Sequence, residues 1–306
     1  MRFGILGAAA LVGALSLPAD GAAQSAAFVH TATAANQGAY PDRTVLDHTL
    51  LNGRSYALPI VTQVWNPSLG DLGSYNPSGI LVAYGLDDRW QIVNRNGGAI
   101  PLGASFNVLI PRPEGSAAPG VGAAFLHVSS AGDIVDGRTY LSHPGMDGDG
   151  GLHPLATHAN AYLSASELIL GFDETPERWW IRYADDFAVV PGLRFHVCFG
   201  YCGTGATGSA TIFAHQICSP ANISGNTCPS PFLDPRALVF LTVDGGGPFS
   251  SALGIWWDPI QLRWELFTED LAPFPSPTAF HLQATHLKFE DGFELGGTDA
   301  WSATVP

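Results

Sequence analysis

Basic residues are scarce. Lys and Arg number 13 against 27 Asp and Glu in 306 residues, a formal net charge of −14 with only 13% of the chain charged. Phosphate binding needs a basic surface, so this balance excludes nucleic acid as a partner. Helical periodicity is nearly absent beyond the N-terminal apolar run, which argues against any helical fold. No later apolar run approaches the ~20 residues that cross a bilayer, so no transmembrane span is expected in the mature chain. Catalytic signatures are missing too: there is no Gly-x-Ser-x-Gly elbow, no Gly-rich phosphate loop and no HExxH helix. The adjacent acidic pairs, such as Asp87/Asp88 and Asp185/Asp186, alternate faces of a strand or sit in turns and do not face one another across a cleft.

What the chain has in abundance is turn residues and aromatics: 36 Gly, 23 Pro, 17 Phe and 8 Trp. It also repeats. Arg89-Trp90 recurs as Arg178-Trp179 and Arg263-Trp264, and 16 positions after each Trp stands a Phe, at Phe106, Phe195 and Phe280. A further alignment sets Phe28-Val29-His30 beside Phe125-Leu126-His127 and Phe213-Ala214-His215. The interval between these two landmarks varies and the Trp-to-Phe interval does not. Insertions therefore lie in loops, while a hairpin and its return strand keep register. The expected fold is all-β: three tandem repeats, each a small six-stranded antiparallel β-sandwich or flattened barrel with its own Trp and Phe in its own core. The expected boundaries are 24–114, 115–203 and 204–286, with a C-terminal tail over 287–306.

Residues 1–23 read as a signal peptide: Arg2 is the positive start, Ile5 to Leu17 the apolar stretch, and Gly21-Ala22-Ala23 the small residues before a cut. The chain is therefore expected to be secreted or held at the cell surface. Four cysteines, Cys198, Cys202, Cys218 and Cys228, form an even set. Behind an export signal an even set favours disulfides, and of three pairings the local one is expected, Cys198 with Cys202 and Cys218 with Cys228.

Several residues are candidates for a site. Trp65, Tyr75, Trp180 and Trp256, with the amide of Asn66, could stack and bond a sugar ring. The recurring His30, His127 and His215, with His48 and His143, could ligate a metal, although a half-buried strand histidine more often bonds its neighbours. Asp147 and Asp149, on a Gly-bent loop, could serve calcium; the loop fails the EF-hand pattern because Gly151 and His158 fall where oxygen ligands belong.

Phe28-Val29-His30-Thr31 with Asn36, followed by Val61-Thr62-Gln63-Val64-Trp65-Asn66-Pro67, resembles a domain of unknown function found in tandem in exported bacterial proteins. Phe289 to Ser302, with Asp291-Gly292-Phe293-Glu294 and Trp301-Ser302, is similar to an ending carried by exported proteins with unrelated bodies, which implies a sorting or surface-attachment segment; the alternative is an extra edge strand or a plain tail. The first resemblance implies secretion and a β fold and brings no catalytic residue. The expected function is non-catalytic binding or adhesion to an extracellular ligand, a carbohydrate or a cell-surface protein. The alternative is an extracellular hydrolase or metal-dependent enzyme that uses strand histidines and a carboxylate.

Overall fold

The computed structural model describes residues 25–37, 39–69, 73–111, 123–160, 166–200, 202, 212–224, 226–245, 251–274 and 278–286. The expected signal peptide and C-terminal segment lie outside the described residues. The first repeat supplies β1 (Ala26–Thr31), a one-turn helix α1 (Ala34–Gln37), β2 (Arg43–Val45), β3 (Ile60–Val64), β4 (Ile80–Tyr84), β5 (Trp90–Asn94) and β6 (Ser105–Ile110). The second supplies β7 (Ala123–Val128), β8 (Ile134–Val135), β9 (Arg138–Tyr140), β10 (Leu155–Ala159), β11 (Leu168–Asp173), β12 (Arg178–Tyr183) and β13 (Arg194–Phe199). The third supplies β14 (Ile212–Cys218), β15 (Thr227–Pro229), β16 (Ala237–Asp244), β17 (Leu253–Asp258), β18 (Arg263–Thr268) and β19 (Thr278–His286). The fold is all-β, as the turn-rich composition requires.

Each repeat splits into two groups of strands that face each other. In the first, β1-β6-β3 packs on β2-β5-β4, and Trp90, Ile92, Phe106 and Val108 fill the space between. Trp179 and Phe195 share a second core and Trp264 and Phe280 a third. Each Trp also fixes its own long loop: the indole N–H donates to the carbonyl of Arg54, Asp149 or Asp234 at 2.8–2.9 Å. The hairpin before each Trp turns through a left-handed residue, Asp88, Glu177 or Leu262, with φ of 53–60°.

The sheets do not stop where the repeats do. Three parallel junctions join them: β3 beside β17, β10 beside β4, and β16 beside β11. The result is three sheets, β1-β6-β3-β17-β18-β15, β2-β5-β4-β10-β13-β7 and β14-β19-β16-β11-β12-β9-β8, each built from two repeats. Repeat one joins three, two joins one, and three joins two, so the chain closes on itself around a pseudo-threefold axis. An unpaired strand edge invites aggregation, and the cyclic pairing covers one edge of every half-repeat.

Along the axis run β3, β10 and β16. Ile60, Leu155 and Phe240 meet there with Leu109, Leu238 and the first disulfide. Each parallel junction starts only near the C-terminal end of its strand, at Gln63, Ala159 and Val243. The amides before that point find threonines instead. Val61 N donates to Thr157 Oγ1 at 3.0 Å, Ala156 N to Thr242 Oγ1 at 3.0 Å, and Leu241 N to Thr62 Oγ1 at 3.2 Å.

Both disulfides have the local pairing, Cys198–Cys202 and Cys218–Cys228. The alignment of the third repeat is corrected by one residue. His30 and His127 sit opposite Phe106 and Phe195, whereas Gln216, not His215, sits opposite Phe280. A one-residue slip reverses the face, and His215 is accordingly exposed.

Thr157→Val should leave the Val61 amide buried and unpaired, at a cost of about 1–3 kcal/mol. Denaturant unfolding measures this, and an unchanged midpoint would show that the threonine ring contributes nothing. Thiol titration of the unfolded, unreduced protein should find no free cysteine.

Candidate functional site

Val64 ends β3, but the strand path continues: Trp65 N donates to Ile255 O at 2.9 Å. This places Trp65 beside Trp256 of β17, ring centroids 6.0 Å apart and edge to face. The loop after Trp65 returns over the same face. Tyr75 stacks on Trp65 at 5.5 Å and 20° and meets Phe267 of β18 edge-on at 5.9 Å. With Asn226, Thr227 and Leu271 these rings line a recess of about 230 Å³ between the first and third repeats. Tyr75 is 40% exposed, while Trp65 and Trp256 are half-buried and their indole N–H groups have no hydrogen-bond partner among the described residues.

The loop is tied down at both ends. Asn66 imitates a strand neighbour, its side chain bonding Trp257 N at 2.7 Å and Trp257 O at 2.8 Å. At the far end Asn76 N donates to Glu269 Oε2 at 3.0 Å, and Asn76 Nδ2 lies 2.8 Å from both Gln63 Oε1 and Asn94 Oδ1. Gly254 makes room beneath: a Cβ there would stand 2.3 Å from Glu269 Oε1 and 2.8 Å from the Phe267 ring.

Three of the sequence candidates, Trp65, Tyr75 and Trp256, thus come together. Two do not. Asn66 is buried and spends its amide on the backbone of Trp257. Trp180, expected to be exposed, is 9% exposed; it donates to Asp173 Oδ1 at 3.0 Å and lies under the guanidiniums of Arg138 and Arg182.

The histidine and aspartate candidates are dispersed. His30 Nε2 pairs with Thr44 Oγ1 at 2.7 Å in the first repeat and His127 Nε2 with Thr139 Oγ1 at 2.8 Å in the second. His48 stacks on Phe28 and accepts from Leu50 N; His143 stacks on Phe125 and accepts from Gly145 N. Asp147 accepts from His143 N and Asp149 from Gly151 N, both as turn caps. Among the described residues no group of three or more His, Cys, Asp or Glu is arranged to hold a metal ion.

A second, smaller cavity of about 40 Å³ lies on the axis, lined by Gln63, Arg95, His158 and Glu167 among others. Its size suits a few water molecules rather than an organic ligand. Arg95 donates to Ser166 O, lies over the Tyr183 ring at 5.0 Å, and has no partner for Nε and Nη2 among the described residues. Tyr183 OH meets His158 Nε2 at 3.1 Å. Burial pushes Glu167 up, opposed by Arg95, and pushes Glu269 up to about 8, opposed by the Asn76 N–H. These polar groups were missed in the sequence because they come from separate repeats; the one local clue is that Arg95 and Glu269 both stand five places after their Trp.

Burial also lowers four histidines, His30, His127 and His196 to about 4 and His158 to about 3. Their ordinary value is 6.5, so below it the unfolded chain binds more protons and stability falls as pH drops toward 4. Glu269 acts in the opposite sense. The folded protein keeps its proton up to about 8 while the unfolded chain releases it near 4.5, so stability falls as pH rises through that window. Below 6.5 the four imidazoles outweigh the two buried carboxyls, Glu269 and Glu167, and maximum stability is expected near that pH. Glu269→Gln should flatten the decline between neutral pH and pH 8, which has a slope of up to about 1.4 kcal/mol per pH unit. Urea unfolding across pH checks this; an alkaline limb unchanged in the variant would remove Glu269 as its cause.

Comparison with known proteins gives a family match. No curated protein and no solved structure matches the chain. A family described as "Domain of unknown function (DUF7452)" matches residues 19–110 and again 82–198. The first match ends at Ile110, the last residue of β6, and the second within β13. With those matches together running from 19 to 198 of 306 residues, more than half its length, the chain belongs to the DUF7452 family.

Proposed function

We propose that this chain is an exported, non-catalytic binding protein whose aromatic recess takes a carbohydrate ring. The observation that carries the proposal is the convergence of Trp65, Tyr75, Trp256 and Phe267, from two repeats, on one cavity of about 230 Å³. Aromatic faces offer the flat apolar contact that the C–H face of a sugar needs, and Asn226 and Thr227 at the rim supply amide and hydroxyl groups for its oxygens. Trp256 and Phe267 sit on paired strands, and Asn66 and Asn76 anchor the backbone beside Trp65 and Tyr75, so these rings need little ordering on binding. Export is supported by the signal-like sequence of residues 1–23 and by two disulfides, which persist in oxidising compartments. No helix among the described residues is long and apolar enough to cross a membrane.

A glycan array at high protein concentration, followed by titration of any ligand found, tests the reading. Tyr75→Ala and Trp256→Ala should each weaken binding by about 0.5–1.5 kcal/mol of lost stacking, roughly two- to tenfold. Tyr75 is the cleaner probe because it is the more exposed, and its melting temperature should barely move. A blank array, or full affinity in both variants, overturns the proposal.

A further inference from the structure

Away from the recess, three histidines from two repeats gather around one carboxylate. His153 lies just before β10, His215 on β14, His281 on β19, and Asp244 ends β16. The ring centroids of His153, His215 and His281 are 5.4, 5.7 and 6.3 Å apart. His153 Nδ1 and His281 Nδ1 stand 3.3 Å from each other. Asp244 holds the other side of the cluster: Oδ2 is 2.7 Å from His215 Nε2. Its Oδ1 is 3.3 Å from His281 Nε2, close but poorly directed for a hydrogen bond. The edge of Trp179 backs His281 at 5.3 Å.

The tautomers follow from these contacts. A carboxylate accepts and does not donate, so Nε2 of His215 carries its proton toward Asp244, and the charge of Oδ1 at 3.3 Å favours the His281 proton on Nε2 as well. Both Nδ1 atoms are then bare lone pairs. This is the arrangement in which metal-ligating histidines are found, one ring nitrogen bonded to a carboxylate and the other on the ion. Two nitrogens at 2.0–2.1 Å on a tetrahedral ion are roughly 3.3–3.4 Å apart, the separation of His153 Nδ1 and His281 Nδ1. His153 needs only to move its own proton to Nε2.

We propose that His153, His215 and His281 form a binding site for a late first-row divalent cation such as Zn²⁺, with Asp244 orienting two of the three rings. As placed, the rings do not surround a common point. His215 is exposed and must turn to complete the set, while His281 is buried and fixed. Imidazole ligands suit Zn²⁺, Cu²⁺ or Ni²⁺ and disfavour Ca²⁺ or Mg²⁺. A bound ion would tie the loop before β10 to the third repeat and reinforce the contact between two repeats without touching the aromatic recess.

The test is titration of tag-free protein with Co²⁺, read by its visible absorption, then displacement by Zn²⁺. One saturable equivalent with the intense spectrum of a four-coordinate ion is expected, and Ca²⁺ should not displace it. His153→Ala and His215→Ala, both outside the core, should remove the saturable step. His281→Gln should do the same, provided its circular dichroism matches that of the parent. Asp244→Asn should weaken binding about 10–100-fold. His48→Ala should bind as the parent does. Absence of a saturable equivalent, a weak six-coordinate spectrum, or uptake unchanged by both His153→Ala and His215→Ala would each overturn the proposal.

Discussion

Three amide-to-threonine hydrogen bonds close the circle on which the molecule depends. A strand that gains a parallel neighbour only over its last residues leaves earlier amides facing another strand group at an angle that no ladder can bridge. A buried amide left there unpaired would cost about as much as a large fraction of a domain's net stability. Thr62, Thr157 and Thr242 solve this with a short branched side chain that is at home in a strand and carries an acceptor. Each repeat donates to the next, so none can leave without breaking two links. The three sandwiches are consequently one cyclic body, and surfaces formed between repeats, such as the aromatic recess, are as well supported as surfaces within one.

Much of the frame was legible in the sequence, for a physical reason. The Trp90-to-Phe106 interval and its two counterparts tie a hairpin to its return strand, and inserting a residue there would turn a core aromatic outward. Such intervals stay fixed and can be read. The parallel junctions have no comparable trace, because the strands they join, for example β3 and β17, are almost two hundred residues apart and their contact is backbone to backbone. The site was legible by residue type and not by place. Aromatics near Asn66 and Tyr75 announced a sticky loop, but nothing local brings Trp256 to Trp65. Asn66 and Trp180 misled because an amide that imitates a strand and an indole roofed by arginines look, in one dimension, like exposed binding groups. His215 misled through a Phe-x-His pattern that repeats one position out of step.

The repeats share a frame and differ at its polar positions. The residue that follows each axial threonine is Gln63, His158 or Val243, and five places after each core Trp stand Arg95, Ala184 and Glu269. Backbone bonds confirm the second equivalence: Arg95 N, Ala184 N and Glu269 N donate to Gly79 O, Glu167 O and Ala252 O. Like charges at all three of these buried positions would each lose hydration, and desolvation would oppose folding in every repeat. One cation, one small residue and one carboxyl that burial keeps protonated into the alkaline range avoid that conflict. The asymmetry thus limits the number of charges that folding has to bury.

The third repeat shows how the same frame accepts different chemistry. Where His30 on β1 reaches Thr44 on β2 and His127 on β7 reaches Thr139 on β9, β14 and β15 are joined by Cys218–Cys228. Register places Cys228 opposite Leu266 as Thr44 is opposite Ile92 and Thr139 opposite Ile181, so the disulfide stands in for the hydrogen bond. A covalent link does not change with pH, whereas a neutral imidazole bonded to a hydroxyl weakens on protonation. With the inward histidine replaced by Gln216, the imidazole of the neighbouring His215 lies on the opposite face, near His281 and His153. The third repeat thus sets the exposed His215 beside the buried His281, on the face where His153 of the second repeat meets them.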